Sequence, residues 1–264
     1  MPKPLFSFII VNFNSARVLP ECLRSIEQLH YPKDKYEVIV VNNDANENTA
    51  LEELQHTYTF SLLHAQRNIG FGAANNQAAK LARGSVLVFL NPDTALLQAD
   101  LSQIHDHFRA FPRCGILGLR LLLPDGTIQP WSAGNKVTLW DIIRNNIGFP
   151  TSRETWLKEE TSSVDWVSGG AFAMPRNIFR TVDGFDEQFF LYFEDVDLCY
   201  RVQRMGYEVT LFPGAKALHR NGQSSASTKQ QKRHFYQSQS LYFRKHRPLW
   251  EGILLQFLRR LTHF

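Results

Sequence analysis

The 264-residue sequence has only three cysteines, Cys22, Cys114 and Cys199, far apart and never in a C-x-x-C pair. An odd, scattered set of thiols excludes a disulfide framework and a zinc ribbon, and suits a reducing compartment. No run of about 18 apolar residues occurs, so no transmembrane helix is expected. The early apolar stretch in MPKPLFSFIIVNFN is too short for the core of a signal peptide and reads as a first strand. Low-complexity tracts and internal repeats are also missing, which sets aside disorder and solenoid architectures. What is present is a 44% hydrophobic and 12% aromatic composition, enough to bury the core of one large domain or one and a half.

The net charge of +4 is unevenly distributed. Residues 220–264 hold nine Lys/Arg against the single acid Glu251, a net of +8, and the rest of the chain carries −4. A basic tail suits an anionic membrane, a phosphate-bearing substrate or nucleic acid, and charge alone does not choose. From Leu249 onward, Trp250, Ile253, Leu254, Phe257, Leu258 and Leu261 share one helical stripe, with Arg259 and Arg260 off it. Such a stripe fits a helix lying in an anionic membrane surface. It also fits packing against the same domain or against a second copy in a homodimer.

Residues 5–11, 36–41, 60–65 and 86–90 are short apolar runs rich in Val, Ile, Leu and Phe, and read as buried strands. Between them lie helical patterns: one opened by Pro20 with Cys22, Leu23, Ile26 and Leu29 in register, one over 51–56, and a small-residue helix over 72–82. Strands alternating with helices imply right-handed βαβ units and a parallel sheet covered on both faces. Ligands on such sheets bind at the C-terminal strand ends. That rule puts residues 12–14, 42–44 and 91–93 at one rim. In the second half, Asp125-Gly126 signals a hairpin and residues 165–171 a strand entering a glycine bend. A helix opens at Glu194 and closes at Gly206.

Three local patterns carry possible chemistry. Asn91-Pro92-Asp93 reads as a turn, or as an oxygen ligand at a strand end holding Mg²⁺ or Mn²⁺ against two phosphates. Residues 68–76 approximate a G-x-G-x-x-G loop, but Asn75 holds the sixth position and the loop follows the third strand. Phosphate binding by free N–H groups and tight helix packing both remain open there. Glu194, Asp195 and Asp197 form the densest acidic cluster, just after Phe189-Phe190-Leu191-Tyr192-Phe193. Helix capping explains one acid; desolvation by the aromatics would raise the pKa of another toward that of a general base. His219 reads as a metal or phosphate contact, or as a structural histidine.

Taken in order, NxGFGxANN (68–76), FLNPD (89–93), VDWVSGGAFAMPR (164–176), GFDEQFFLYFEDVDLCYR (184–201) and His219 with GxSS (222–225) closely resemble the family 2 glycosyltransferases of GT-A fold. Within them the chain is most similar to bacterial rhamnosyltransferase-type enzymes of cell-surface polysaccharide assembly. The resemblance runs from about residue 7 to residue 225. It implies an α/β, Rossmann-like, mostly parallel sheet flanked by helices, with a C-terminal helical tail. Residues 1–225 would form the GT-A domain, with 1–110 binding nucleotide and 111–225 supplying acceptor site and base, and 226–264 would form the basic amphipathic tail.

The resemblance also implies roles. Asp93, beside Asn91, would bind the divalent cation, and His219 would complete the metal site. Asp195 would be the catalytic base, with Glu194 its neighbour. Val11, Asn12, Asn14 and Asn42 would line the nucleoside pocket, Asn68, Gly72 and Asn75 would face the nucleotide, and Gly169 and Gly170 would admit the donor sugar or acceptor. The implied reaction is an inverting transfer from a dTDP- or UDP-sugar, dTDP-L-rhamnose above all, to a glycan or polyprenyl-diphosphate-linked acceptor. The implied location is cytoplasmic, peripheral on the inner face of the plasma membrane, with no nucleic-acid partner.

Two positions depart from the family pattern: Asn91 replaces the first acid of the metal motif, and Asn42 replaces an Asp that accepts from the pyrimidine N3–H. An Asn carbonyl accepts the same bond without charge. The rival classes are a sugar-phosphate nucleotidyltransferase and a non-catalytic glycan-binding protein. The first usually needs a Gly-rich basic loop after its first strand, where this chain has Asn12-Phe13-Asn14; the second has no use for Asp93 and Asp195.

Overall fold

The computed structural model describes residues 3–220 and 228–262. The chain runs β1 (Phe6–Asn12), α1 (Leu19–Glu27), β2 (Tyr36–Asn42), α2 (Asn48–Leu54), β3 (Ser61–His64), α3 (Phe71–Leu81), β4 (Val86–Leu90), β5 (Thr94–Gln98), α4 (Leu101–Ala110) and β6 (Cys114–Leu122). It continues through β7 (Ala133–Gly134), α5 (Leu139–Asn146), α6 (Arg153–Leu157), β8 (Ser162–Val164), β9 (Trp166–Val167), β10 (Ala171–Pro175), α7 (Arg176–Thr181), α8 (Glu194–Arg204), β11 (Glu208–His219), α9 (Thr228–His246) and α10 (Leu249–Thr262).

The continuous apolar strands follow from burial on both faces. Phe6, Phe8 and Ile10 of β1 enter one hydrophobic cluster, while Ile9 and Val11 enter the other. β2 and β4 divide likewise, with Val38, Val40, Val86 and Val88 on one side and Ile39, Val41, Leu87 and Phe89 on the other. The two-residue period of a strand thus feeds two cores at once.

The main sheet has nine strands in the order β3-β2-β1-β4-β10-β6-β11-β5, with β8 paired to β11. β3, β2, β1 and β4 are parallel, as the βαβ reading requires. The second half makes the sheet mixed: β10 runs antiparallel between β4 and β6, and β5 and β8 run antiparallel to β11. A reversed strand needs no crossover helix. Its reversal sets the start of β10 beside the end of β4, where the Asn91 N–H donates to the Gly170 carbonyl at 3.0 Å.

The α3 glycines serve packing. Gly70 has φ +91°, and a Cβ there would meet the Phe190 carbonyl oxygen at 2.7 Å. The Phe71 N–H donates to that same carbonyl at 3.0 Å. A Cβ on Gly72 would stand 3.0 Å from that of Phe185. Asn76 clasps the Phe185 backbone, donating to its carbonyl and accepting from its N–H, both at 2.9 Å. The first turn of α3 is therefore capped by residues 185–190.

The tail turns a different face inward from the one its sequence suggests. Leu255 is buried and Leu258 partly buried, in a cluster with Leu139, Phe193, Leu241, Tyr242 and Phe243. Trp250, Ile253, Leu254 and Phe257 are exposed. The side chain of Leu261 lies outside the described residues, as do residues 222–225. The carboxylate of Glu251, 5% exposed, fixes the arrangement. It accepts from the Leu139 N–H at the start of α5 at 3.1 Å, and from Arg247 at 2.9 and 2.5 Å.

Those bonds, chiefly the one from Arg247, lower the Glu251 pKa. Its stabilisation is therefore complete above the unfolded carboxyl pKa and is lost as pH falls through the lowered folded value. Glu251→Gln is expected to cost about 1–2 kcal/mol at pH 7. Thermal melts of variant and wild type should converge as pH drops below about 4.

Candidate active site

β4 ends at Leu90, and Asn91-Pro92-Asp93 turns the chain into β5, which pairs antiparallel with the end of β11, Thr94 opposite His219. The register sets Asp93 against His219, with Nε2 3.2 Å from Oδ1 and both side chains about nine-tenths buried. The Asn91 amide nitrogen lies 3.3 Å from the same Nε2, and Nδ1 lies 2.8 Å from Oε1 of Gln129. A neutral histidine that gives its Nδ1–H to Gln129 turns a lone pair toward the Asp93 carboxylate. Such a pair is joined either by a proton on Nε2 or by a metal cation between the two. Oxygen and imidazole donors fit Mg²⁺ or Mn²⁺. Among the described residues no three His, Cys, Asp or Glu gather as a metal-holding group. A cation held there would take two ligands from the chain and the others from diphosphate and water, as Mg²⁺ sites usually do.

The next two residues in space are consecutive in sequence. A Cβ on Gly170 would lie 3.4 Å from the His219 ring and 2.9 Å from Leu121. The Gly169 N–H donates to Oδ2 of Asp195 at 2.7 Å. One glycine pair therefore touches the Asp93–His219 side and the Asp195 side together.

Asp195 sits in the first turn of α8. The chain enters this helix through Tyr192 and Phe193, with φ +69° and +66°. Left-handed backbone at two bulky residues is costly and persists only where packing enforces it. The Phe193 ring is held at 5.5 Å by both Phe235 and Tyr242. The three acids of the cluster then separate. Asp197 is fully buried and paired with Arg201 at 2.7 Å and His246 at 2.6 Å, a structural role. Burial pushes the Glu194 carboxyl well up, and the neighbouring Asp195 charge adds to the rise. Its Oε2 has no partner. Burial also raises Asp195, but the N–H groups of Gly169 and Val196 oppose the rise. Hydrogen bonds from the glycine bend and the helix start thus favour the charged form of Asp195, and Glu194 Oε2 lacks such a donor.

On the nucleotide side the structure alters several expectations. Asn12 and Asn42 are buried, and their amides frame loops. Asn12 donates to Glu47 at 2.7 Å and to Oδ1 of Asn42 at 3.3 Å, and that oxygen also accepts from the Asp44 N–H at 3.1 Å. With both lone pairs engaged, Asn42 has no acceptor left for a pyrimidine N3–H. Val11 belongs to the core. Gly72 packs on Phe185, and Asn75, also buried, donates to the Phe71 carbonyl of its own helix. These residues shape the rim from beneath. At the surface of the same rim are Asn14, exposed with φ +50°, and Asn68, half-buried.

Glu47 and Gln129 lie outside the expected set, and Asn43 was expected only as part of the rim. Glu47 accepts from Asn12 and from the Ser15 and Ala16 N–H groups, fixing the loop after β1. Asn43 donates to Asn68 and accepts from the Ile69 N–H, both at 3.0 Å, tying the loop after β2 to the approach of α3. Gln129 supports His219; its only signal in the sequence was the Asp125-Gly126 hairpin, which returns it beside Leu121.

Comparison with known proteins accords with this geometry. The chain is 27% identical over 207 residues to the N-acetylglucosaminyl-diphospho-decaprenol L-rhamnosyltransferase of Mycobacterium tuberculosis, covering 71% of this chain and 67% of that enzyme. It is 26% identical to the rhamnosyltransferase WbbL of Escherichia coli, covering 74% of this chain and 76% of that one. Among solved structures, the mannosyltransferase PcManGT of Pyrobaculum calidifontis, in complex with GDP-Man and Mn2+, superposes with a TM-score of 0.64 at 19% identity. That match covers 93% of this chain and 64% of the mannosyltransferase, and it shows a shared GT-A fold. Residues 158–221 match a model described as the N-terminal domain of galactosyltransferase. Residues 7–183, more than half of the chain, match Glycosyl transferase family 2, and the chain belongs to that family.

Proposed function

We propose that the chain is an inverting, metal-assisted glycosyltransferase that moves L-rhamnose from dTDP-L-rhamnose to a polyprenyl-diphosphate-linked or glycan acceptor. The observation that carries the reading is the Gly169-Gly170 bend, whose successive residues contact Asp195 and the His219 ring. A base and a diphosphate-anchoring pair at successive residues of one bend is what a single in-line displacement needs. The rhamnosyl donor and lipid-linked acceptor rest on the names of the mycobacterial and Escherichia coli relatives.

In this reading Asp195 accepts the proton of the acceptor hydroxyl as its oxygen bonds to the anomeric carbon. The bond from that carbon to the diphosphate oxygen breaks, and its electron pair leaves with the nucleoside diphosphate. Asp93 and His219 would hold a divalent cation, whose contribution is to neutralise charge on the departing diphosphate. The bond from the Asn91 N–H to the Gly170 carbonyl keeps those ligands in register. Asn14 and Asn68 would meet the nucleotide.

The acceptor proposal extends to the membrane. Trp250, Ile253 and Phe257 on α10 are 55–60% exposed, and Trp140, Ile147 and Phe149 at α5 are 60–64% exposed. Glu251 bonds these two elements together. Arg144 and Arg260 are exposed beside them at helical spacing, i+4 from Trp140 and i+3 from Phe257. Apolar and aromatic residues fringed by cations suit an anionic membrane surface. Not all of the tail's charge is available for it: Arg220 pairs with Glu21, Lys245 with Asp186 and Arg247 with Glu251, and Arg259 donates to Gln239 and Ser240. No helix among the described residues is long and apolar enough to cross a membrane.

Asp195→Asn should lower kcat at least about a hundredfold with little change in donor affinity. In the wild type the rate should fall as pH drops through the raised Asp195 pKa, an acid limb above the ordinary aspartate range. Equal loss in Glu194→Gln alone, with Asp195→Asn active, exchanges the two roles. Asp93→Ala should abolish most turnover while circular dichroism stays native, and full wild-type activity in excess EDTA rejects the metal. Sedimentation with liposomes containing anionic lipid should occur at low salt and weaken at high salt. Trp140→Ser/Trp250→Ser should reduce it without changing donor hydrolysis.

A further inference from the structure

We propose that Gln129 is a positioning residue that selects the tautomer of His219, so that Nε2 rather than Nδ1 presents its lone pair to the Asp93 side of the site. The inference rests on the metal-assisted reading above.

A neutral imidazole has one N–H and one lone pair, and the partner of one nitrogen decides what the other offers. Here the partners agree. Nδ1 faces Oε1 of Gln129 at 2.8 Å, across 90 residues of sequence, with both side chains buried. Nε2 faces the Asn91 amide nitrogen at 3.3 Å, a group that only donates. An Nδ1–H giving to Gln129 leaves the single Nε2 lone pair facing the Asn91 N–H₂ and the Asp93 carboxylate, the arrangement that a cation on the Asp93 side completes. The opposite tautomer would give its Nε2–H to Asp93, closing that side to a cation, and would set the Nδ1 lone pair against the Gln129 oxygen at 2.8 Å.

Gln129 is held well enough to impose the choice. Its backbone N–H donates to the Leu121 carbonyl at 2.9 Å, and Ile128 bridges to Leu122 on the same hairpin. Gly170 keeps the other side of the ring close, since a Cβ would approach Nδ1 and Cε1 to 3.4 Å. The imidazole is seated from two directions, and its Nε2 lies 3.2 Å from Oδ1 of Asp93. Hydrogen bonds to the remote nitrogen of a ligand histidine typically carry about ten- to a hundredfold in metal affinity.

The test is Mn²⁺ titration followed by electron paramagnetic resonance, with dTDP present, on wild type, Gln129→Met, Gln129→Glu and His219→Ala. Long-range ¹H–¹⁵N correlation spectra of the metal-free wild type report the tautomer. Gln129→Met should weaken Mn²⁺ binding about ten- to a hundredfold, and Gln129→Glu, which keeps an acceptor at Nδ1, should bind at least as well as wild type. The wild-type spectrum should show Nδ1–H, and this result stands even if Gln129→Met fails to fold. Wild-type affinity in Gln129→Met together with loss in His219→Ala overturns the role of Gln129 and leaves the metal reading intact. A spectrum showing Nε2–H overturns it as well. Unchanged affinity in His219→Ala overturns the metal reading beneath it.

Discussion

The site depends on one close approach of backbone to side chain. Gly169 gives its N–H to Asp195, and Gly170 gives its carbonyl to the Asn91 N–H while leaving room for His219. That bend is at the rim only because β10 runs against β4, so that its first residue pairs with the last residue of β4. The apolar cores on both faces of the sheet fix that register, since a slip of one residue would exchange the two clusters. Asp195 and the Asp93–His219 pair are therefore positioned by the same hydrogen-bonded seam that holds the sheet together.

The first half of the fold was legible because its strands are apolar throughout and its helices intervene at regular intervals. In the second half the Asp125-Gly126 hairpin and the helix from Glu194 were legible but most strands were not, for reasons visible in particular residues. β11 carries Pro213 and Gly214 within its span, and its pairing with β6 shifts register between Phe212 and Lys216. An uninterrupted strand pattern is absent there although the strand forms and delivers His219. β6 contains Gly115 and Gly118, whose missing side chains make room for Val202, Tyr207 and Val167. Glycine within a strand reads as a break, whereas here it is the condition for close packing.

The acidic cluster after the aromatic run stood out in the sequence, and only the structure separates Asp197, paired with Arg201 and His246, from Glu194 and Asp195. The neutral polar residues could not be assigned in the same way. Asn12 and Asn42 stand where nucleotide contacts were expected, yet their amides are committed to Glu47, Asn48 and each other. Whether an amide faces a ligand or a neighbour depends on partners distant in the chain, 35 residues away for Glu47 and Asn12. The tail followed the same logic. Its apolar stripe was evident, but which side turned inward was decided by Glu251 and its bond to the start of α5.

The central claim is that the Asp93–His219 pair anchors the diphosphate on one side of the glycine bend and Asp195 attends the acceptor on the other. Anomalous X-ray diffraction at the manganese edge, from crystals grown with Mn²⁺ and dTDP, tests it most directly. The account predicts a single strong peak within coordination distance of an Asp93 oxygen and His219 Nε2, with the diphosphate oxygens completing the shell. A peak elsewhere at the rim, or nucleotide bound in order with no metal at Asp93, would contradict it.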